Sequence, residues 1–132
     1  MPVTGIDHLV LTVRDIVATC QFYERHLGVA SVTFGAGRTA LQLGHQKINL
    51  HEVGREFEPK AAHARAGTGD ICLISDDPVE DLVTRLKASG IVIEAGPATR
   101  TGAIGEIRSI HFRDPDGNLV EVANYQSASQ AG

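Results

Sequence analysis

Apolar and polar positions along the chain follow a pattern of strand, helix and three strands that occurs twice. Residues 6–13 (IDHLVLTV) are rich in β-branched and large apolar side chains and predict a strand. Asp15 is placed to cap a helix in which Ile16, Cys20, Phe22, Tyr23 and Leu27 recur at helical spacing, and Gly28 marks its stop. Three short strands are predicted over 29–34, 39–43 and 47–53, separated by Gly35, Gly37 and the Gly44-His45-Gln46 turn. Residues 54–68 (GREFEPKAAHARAGT) carry no clear period and read as a linker. The pattern then restarts with a strand over 70–75. Asp77-Pro78-Val79-Glu80 predicts a helix start, with Asp77 as cap, and Gly90 a stop. Strands are predicted over 91–94, 107–113 and 119–124, the last two joined by an Asp114-Pro115-Asp116-Gly117 turn. The closing QSASQAG is small and polar and reads as a flexible tail.

The two halves superimpose as sequence. A shift of 62 lays His8 on Asp70, Leu11 on Leu73, Asp15 on Asp77, Val17 on Val79 and Gly28 on Gly90, and a shift of 72 lays Asn49 on Glu121. The expected fold is therefore α+β: two β-α-β-β-β modules, pairing curved mixed sheets around a cavity. The modules are residues 1–53 and 69–125, with 54–68 as linker and 126–132 as tail.

Composition narrows the function. A net charge of −4 over 132 residues leaves no general positive field for nucleic acid or an anionic membrane. No apolar run approaches the ~18 residues that span a bilayer, and no basic segment precedes an apolar block at the start. Cys20 and Cys72 stand singly, outside any CxxC pair, and read as reduced core residues of a cytoplasmic protein. Nucleophile-elbow, phosphate-loop, dinucleotide and paired-cysteine zinc patterns are all missing from the sequence.

The positions that coincide under the repeat are the chemical candidates: His8, Asn49, Asp70 and Glu121. Each is expected inside an apolar strand, where a carboxylate without a proton, partner or metal is costly to bury. His8 alone reads as a hydrogen-bonded structural histidine. With Asp70 and Glu121 at matching places it reads as a ligand. His51 shares a strand face with Asn49, and His111 lies on the strand beside Glu121. His26 suits a helix C-terminus whatever the function, and His45 sits in a turn. Lys60, His63 and Arg65 place basic groups on the linker, a solvated loop or a grip for an anionic substrate.

The segments IDHLVLTVRDI, FYERHLG, GDICLISDD and above all FRDPDGNLVEV resemble the vicinal oxygen chelate superfamily over roughly residues 4–125. That group includes glyoxalase I, fosfomycin-resistance thiol transferases, bleomycin-resistance binding proteins and extradiol dioxygenases. GHQKINLHEVGREFEPKAAH further resembles a glyoxalase-like subgroup. The resemblance implies one divalent metal held at the first and last strands of each module, with His8, Asp70 and Glu121 as ligands and Glu121 also as base. Asn49 stands where glyoxalase I-like members carry a carboxylate, and Asp70 where most metal-binding members carry histidine. Asn49, His51 and His111 would then contact substrate, with either Asn49, a weak ligand, or the neighbouring His51 in its stead completing the metal site. Such a ligand set suits six-coordinate Mn²⁺, Ni²⁺, Fe²⁺ or Mg²⁺ better than a closed tetrahedral Zn²⁺. The implied activity is a lyase or isomerase resembling lactoylglutathione lyase, acting on a small α-oxo or vicinal-oxygen compound. An extradiol-type dioxygenase and a metal-free drug- or metabolite-binding protein are the alternatives. A small-molecule substrate and a homodimer are expected, with no nucleic acid or membrane partner.

Overall fold

The computed structural model describes residues 2–126; Met1 and 127–132, most of the expected tail, lie outside the described residues. The chain runs β1 (His8–Val13), α1 (Ile16–Leu27), β2 (Ala30–Phe34), β3 (Arg38–Leu43), β4 (Gln46–Glu52), β5 (Asp70–Ile74), α2 (Val79–Ala88), β6 (Ala95–Thr101), β7 (Glu106–Arg113) and β8 (Leu119–Tyr125). The α+β class and the doubled strand-helix-strand-strand-strand order are as the hydrophobic pattern predicts. The described residues form two compact units, one of residues 2–68 with 115–117, the other of 69–114 with 118–126.

In the first unit four strands form a mixed sheet in the order β1-β4-β3-β2, with β1 and β4 parallel and the other pairs antiparallel. Leu11, Val13, Leu41, Ile48 and Leu50 alternate onto one face and are almost wholly buried. Helix α1 packs on β2, β3 and β4 and contributes Tyr23, which is fully buried. Asp15 caps it as predicted, accepting from Ala18 N at 3.0 Å, and the Gly28 amide returns to Glu24 O to close it. The opposite face of the sheet carries His8, Val10, Thr12, Arg38, Ala40, Asn49 and His51.

The second unit repeats this order as β5-β8-β7-β6. The repetition extends to individual rungs. Val10 pairs with Asn49 on β1 and β4, and their counterparts Cys72 and Glu121 pair on β5 and β8. Helix α2 packs on β7 and β8 with Val79, Leu82 and Leu86 buried.

Three local expectations are corrected. Asp77 does not cap α2: its carboxylate pairs with Arg85 at 3.2 Å, and Pro78 occupies the cap position without a side-chain bond. Asn124 substitutes from β8, its Oδ1 accepting from Val79 N at 2.8 Å while its Nδ2 donates to the carbonyls of Ser75 and Asp77. Residues 91–94 form no strand; the strand lies at Ala95–Thr101, across Gly96-Pro97. β6 is an edge strand with an irregularity between Ala95 and Ala98, which is where a sheet tolerates proline. Cys72 is exposed on the sheet face away from α2 and is no core residue, while Cys20 is half-buried; both are free thiols.

Candidate functional site

Strands β7 and β8 build the most developed polar cluster of the second unit. Their register sets His111 opposite Glu121, and β5 sets Cys72 opposite Glu121 on the other side. Ser109, two residues before His111 and hence on the same face, donates from Oγ to Glu121 Oε2 at 2.6 Å. His111 Nε2 stands 3.5 Å from Glu121 Oε1. Ser109 is fully buried, and the Glu121 side chain keeps 17% of its surface. One carboxylate oxygen is thus tied down while the other faces an imidazole. Partial burial, then the charge of Glu121 and a hydrogen bond to it, push the neighbouring Cys72 thiol up to about 11. Cys72, Glu121, Ile107 and Tyr125 border a cavity of about 330 Å³.

Two other acids are more deeply buried than Glu121 and have structural work. Asp114 accepts from Asn118 N and Nδ2, closing the β7–β8 turn. Asp116 takes both the backbone amide and the guanidinium of Arg14, at 3.0 and 3.2 Å, within the first unit.

In the first unit the expected residues separate into two environments. Asn49 and His51 are buried on the helix-free face of β4, and neither Asn49 Oδ1 nor His51 Nδ1 has a hydrogen-bond partner. His51 Nε2 lies 3.3 Å from the guanidinium of Arg38 on β3. Arginine has no acceptor, so Nε2 carries the lone pair and Nδ1 the proton. Arg38 is itself held between aromatic rings, 5.1 Å from the Phe34 centroid and 4.6 Å from that of Phe57. Phe57 also meets the His51 ring edge-on at 5.5 Å. Burial and the Arg38 charge hold the His51 imidazole below its ordinary pKa.

His8 and Asp70 open β1 and β5, as the repeat requires, and both are exposed rather than enclosed in apolar strand. His8 Nδ1 bonds to Asp7 Oδ1 at 2.7 Å, which leaves Nε2 free to coordinate. An imidazole pinned by a carboxylate and a carboxylate pinned by a hydroxyl have the donor chemistry of oriented ligands for a divalent cation. Among the described residues no three His, Cys, Asp or Glu side chains converge as a ready ligand group.

Sequence reasoning did not single out Ser109, Arg38 or Phe57. Ser109 carried a legible signal, since it shares with His111 the face that meets Glu121. Arg38 and Phe57 carried none: they come together only when the linker lies against β3 and β4.

Residues 5–122 match the sequence model of the Glyoxalase/Bleomycin resistance protein/Dioxygenase superfamily. The chain belongs to this superfamily. Virulence protein STM3117 of Salmonella typhimurium is 53% identical over 125 residues, covering 95% of this chain and 87% of the relative. An integron cassette protein from the V. Cholerae mobile metagenome is 54% identical with a TM-score of 0.91, over 96% of this chain and 98% of that one. Lactoylglutathione lyase from Agrobacterium tumefaciens is 26% identical with a TM-score of 0.69, over 94% and 96%. Superfamily membership accounts for the paired modules; the chemistry has to come from the side chains these modules carry. Among the described residues no helix is long and apolar enough to cross a membrane.

Proposed function

We propose that this superfamily member is a metal-dependent lyase or isomerase acting on a small compound with adjacent oxygens, with Glu121 as the group that moves the proton. The observation that carries this reading is the Glu121 carboxylate: Oε2 is fixed by Ser109, and Oε1 is left beside His111 at the edge of a cavity. A base so held needs little reorganisation to take a proton from carbon next to a carbonyl and return it to the neighbouring atom. His8, Asp70 and Glu121 are the residues that would hold the cation, with Asn49, His51 and His111 as substrate contacts. Once bound, the cation would supply Lewis-acid stabilisation of negative charge developing on the substrate oxygens. The likeness to a lactoylglutathione lyase supports the choice of lyase over oxygenase.

The test is elemental analysis of the purified protein together with a proton-exchange assay. About one divalent ion per chain is expected, lost in His8→Ala and in Glu121→Ala. With the hemithioacetal of an α-oxo aldehyde and a thiol in deuterated water, the parent is expected to turn over and to label product at carbon, and Glu121→Gln to do neither. Full metal retention by both alanine variants overturns the ligand assignment. A protein that holds a planar metabolite but no metal would be a binding protein instead. The same preparations are expected to sediment as a homodimer.

A further inference from the structure

The rung that carries Glu121 sets three different donor side chains in one line across the second sheet. Cys72 on β5 pairs with Glu121 on β8, and Glu121 pairs in turn with His111 on β7. Asp70, on the same face of β5, falls opposite Leu119, one side-chain step short of the acid. The immediate strand partner of Glu121 on that side is therefore a sulfur. Cys72 is exposed, and thiol and carboxylate together border the cavity of about 330 Å³ whose other walls include Ile74, Ile107 and Tyr125. A solute in that cavity reaches both groups.

The surroundings leave the charge of Glu121 open to a cation. Ser109 donates to Oε2 at 2.6 Å, and the Cys72 thiol also donates to the carboxylate. His111 Nε2 stands 3.5 Å from Oε1. Among the described residues no lysine or arginine lines the cavity or pairs with Glu121. The matching rung of the first sheet has Val10 beside Asn49, so the sulfur belongs to the acid-bearing copy.

We infer that Cys72 is a further ligand of the cation held at Glu121, and that its sulfur makes the site favour Co²⁺, Zn²⁺ or Ni²⁺ over Mg²⁺ and Mn²⁺. This rests on the reading of Glu121 as a cation ligand and adds to it the second donor and the selectivity. Thiolate sulfur is a soft donor, whereas carboxylate and water alone suit the hard ions. On binding, the S–H bond breaks: its electron pair stays on sulfur and is donated to the cation, and the proton leaves to buffer. A cation on the carboxylate cancels the negative charge that holds this proton, so each ligand assists the other.

Co²⁺ is the probe, titrated without oxygen into the metal-stripped full-length protein. Near-ultraviolet absorption is the readout, because thiolate-to-cobalt charge transfer appears only when sulfur is bound. The parent is expected to show this band, saturating at about one Co²⁺ per chain. Cys20→Ser should keep it, and Cys72→Ser and Glu121→Gln should lose it. Serine at position 72 can still donate to Glu121, so this variant keeps its fold, checked by circular dichroism, and isolates the sulfur. Its Co²⁺ affinity is expected to fall by at least the roughly tenfold that losing an outer-sphere partner costs. Its Mg²⁺ affinity should stay within about twofold of the parent. Co²⁺ bound by the parent without the band, a band that survives in Cys72→Ser, or an equal fall for Mg²⁺ overturns the inference and leaves Glu121 a ligand. A band undiminished in Glu121→Gln marks an adventitious thiol adduct and overturns it as well. A parent that takes up no Co²⁺ overturns the inference together with the reading of Glu121, so the two failures are told apart.

Discussion

The guanidinium of Arg38 lies 3.3 Å from Nε2 of His51, and Arg38 is itself held between Phe34 and Phe57. A charged donor fixed in this way favours one tautomer of the neutral imidazole and opposes its protonation. Two consequences can be measured. The ¹⁵N shifts of His51 should report a protonated Nδ1 and a bare Nε2, and Arg38→Met should mix the tautomers and raise the His51 pKa. A His51 already mixed in the parent would remove the positioning role of Arg38.

The same histidine makes stability depend on pH in a stated direction. Burial first, and the Arg38 charge second, lower its pKa in the folded chain; burial does the same for His26. The unfolded chain therefore binds more protons than the folded one between the folded pKa and about 6.5. Stability is complete above about pH 6.5 and falls as the pH drops through that window. The denaturant midpoint should be lower at pH 5.5 than at pH 7.5, and a flat profile across the interval contradicts the assignment.

Ser109 is fully buried and its hydroxyl has a charged acceptor 2.6 Å away. Ser109→Ala removes that bond and lets the Glu121 carboxylate rotate. A loss of about 1–3 kcal/mol is expected by chemical denaturation, together with slower proton exchange in substrate. Retained stability would mean that water replaces the hydroxyl at no cost.

Cys72 keeps exposed surface, yet its thiol stands at about 11 because of its partial burial and the adjacent Glu121. Alkylation depends on the thiolate, so at pH 8 and with metal chelated Cys72 should react roughly a hundredfold more slowly than a free thiol. Glu121→Gln should accelerate it. Labelling at the rate of a model thiol would show that the acid is not where the register puts it.

Gly96 separates steric cost from backbone cost. Its φ is 88°, and a Cβ there would stand 2.3 Å from the carbonyl oxygen of Ser109, a backbone atom that cannot swing aside. Gly90 has a similar φ of 79° with open space around it. Gly90→Ala should cost about 1–2 kcal/mol of strain, and Gly96→Ala distinctly more. Because Ser109 holds Glu121, Gly96→Ala should also impair proton exchange, whereas Gly90→Ala should not.

The element order and most strand positions were legible because both rest on local pattern: period-two alternation, a cap at Asp15, glycines after the helices. What escaped was set by partners remote in sequence. The cap of α2 comes from Asn124, 45 residues beyond Val79, so Asp77 offered the right residue in the right place and found Arg85 instead. The strand around Gly96-Pro97 ran against local propensity and was rescued by its place at a sheet edge. The candidate site divided in the same manner. His8 and Glu121 were visible through the repeat, while the proton position on His51 required Arg38, whose closeness no spacing reveals.

Matching rungs in the two sheets carry different side chains. Val10, Asn49 and Ala40 line up in the first, Cys72, Glu121 and His111 in the second. One inherited scaffold has thus been furnished twice, with an acid on only one copy. Grafting an aspartate at position 49 would place a carboxylate beside an aliphatic side chain and a methyl group, with no Ser109 or His111 to receive it. The two halves have ceased to be interchangeable parts, and a hybrid built from two first halves would inherit the architecture without the acid.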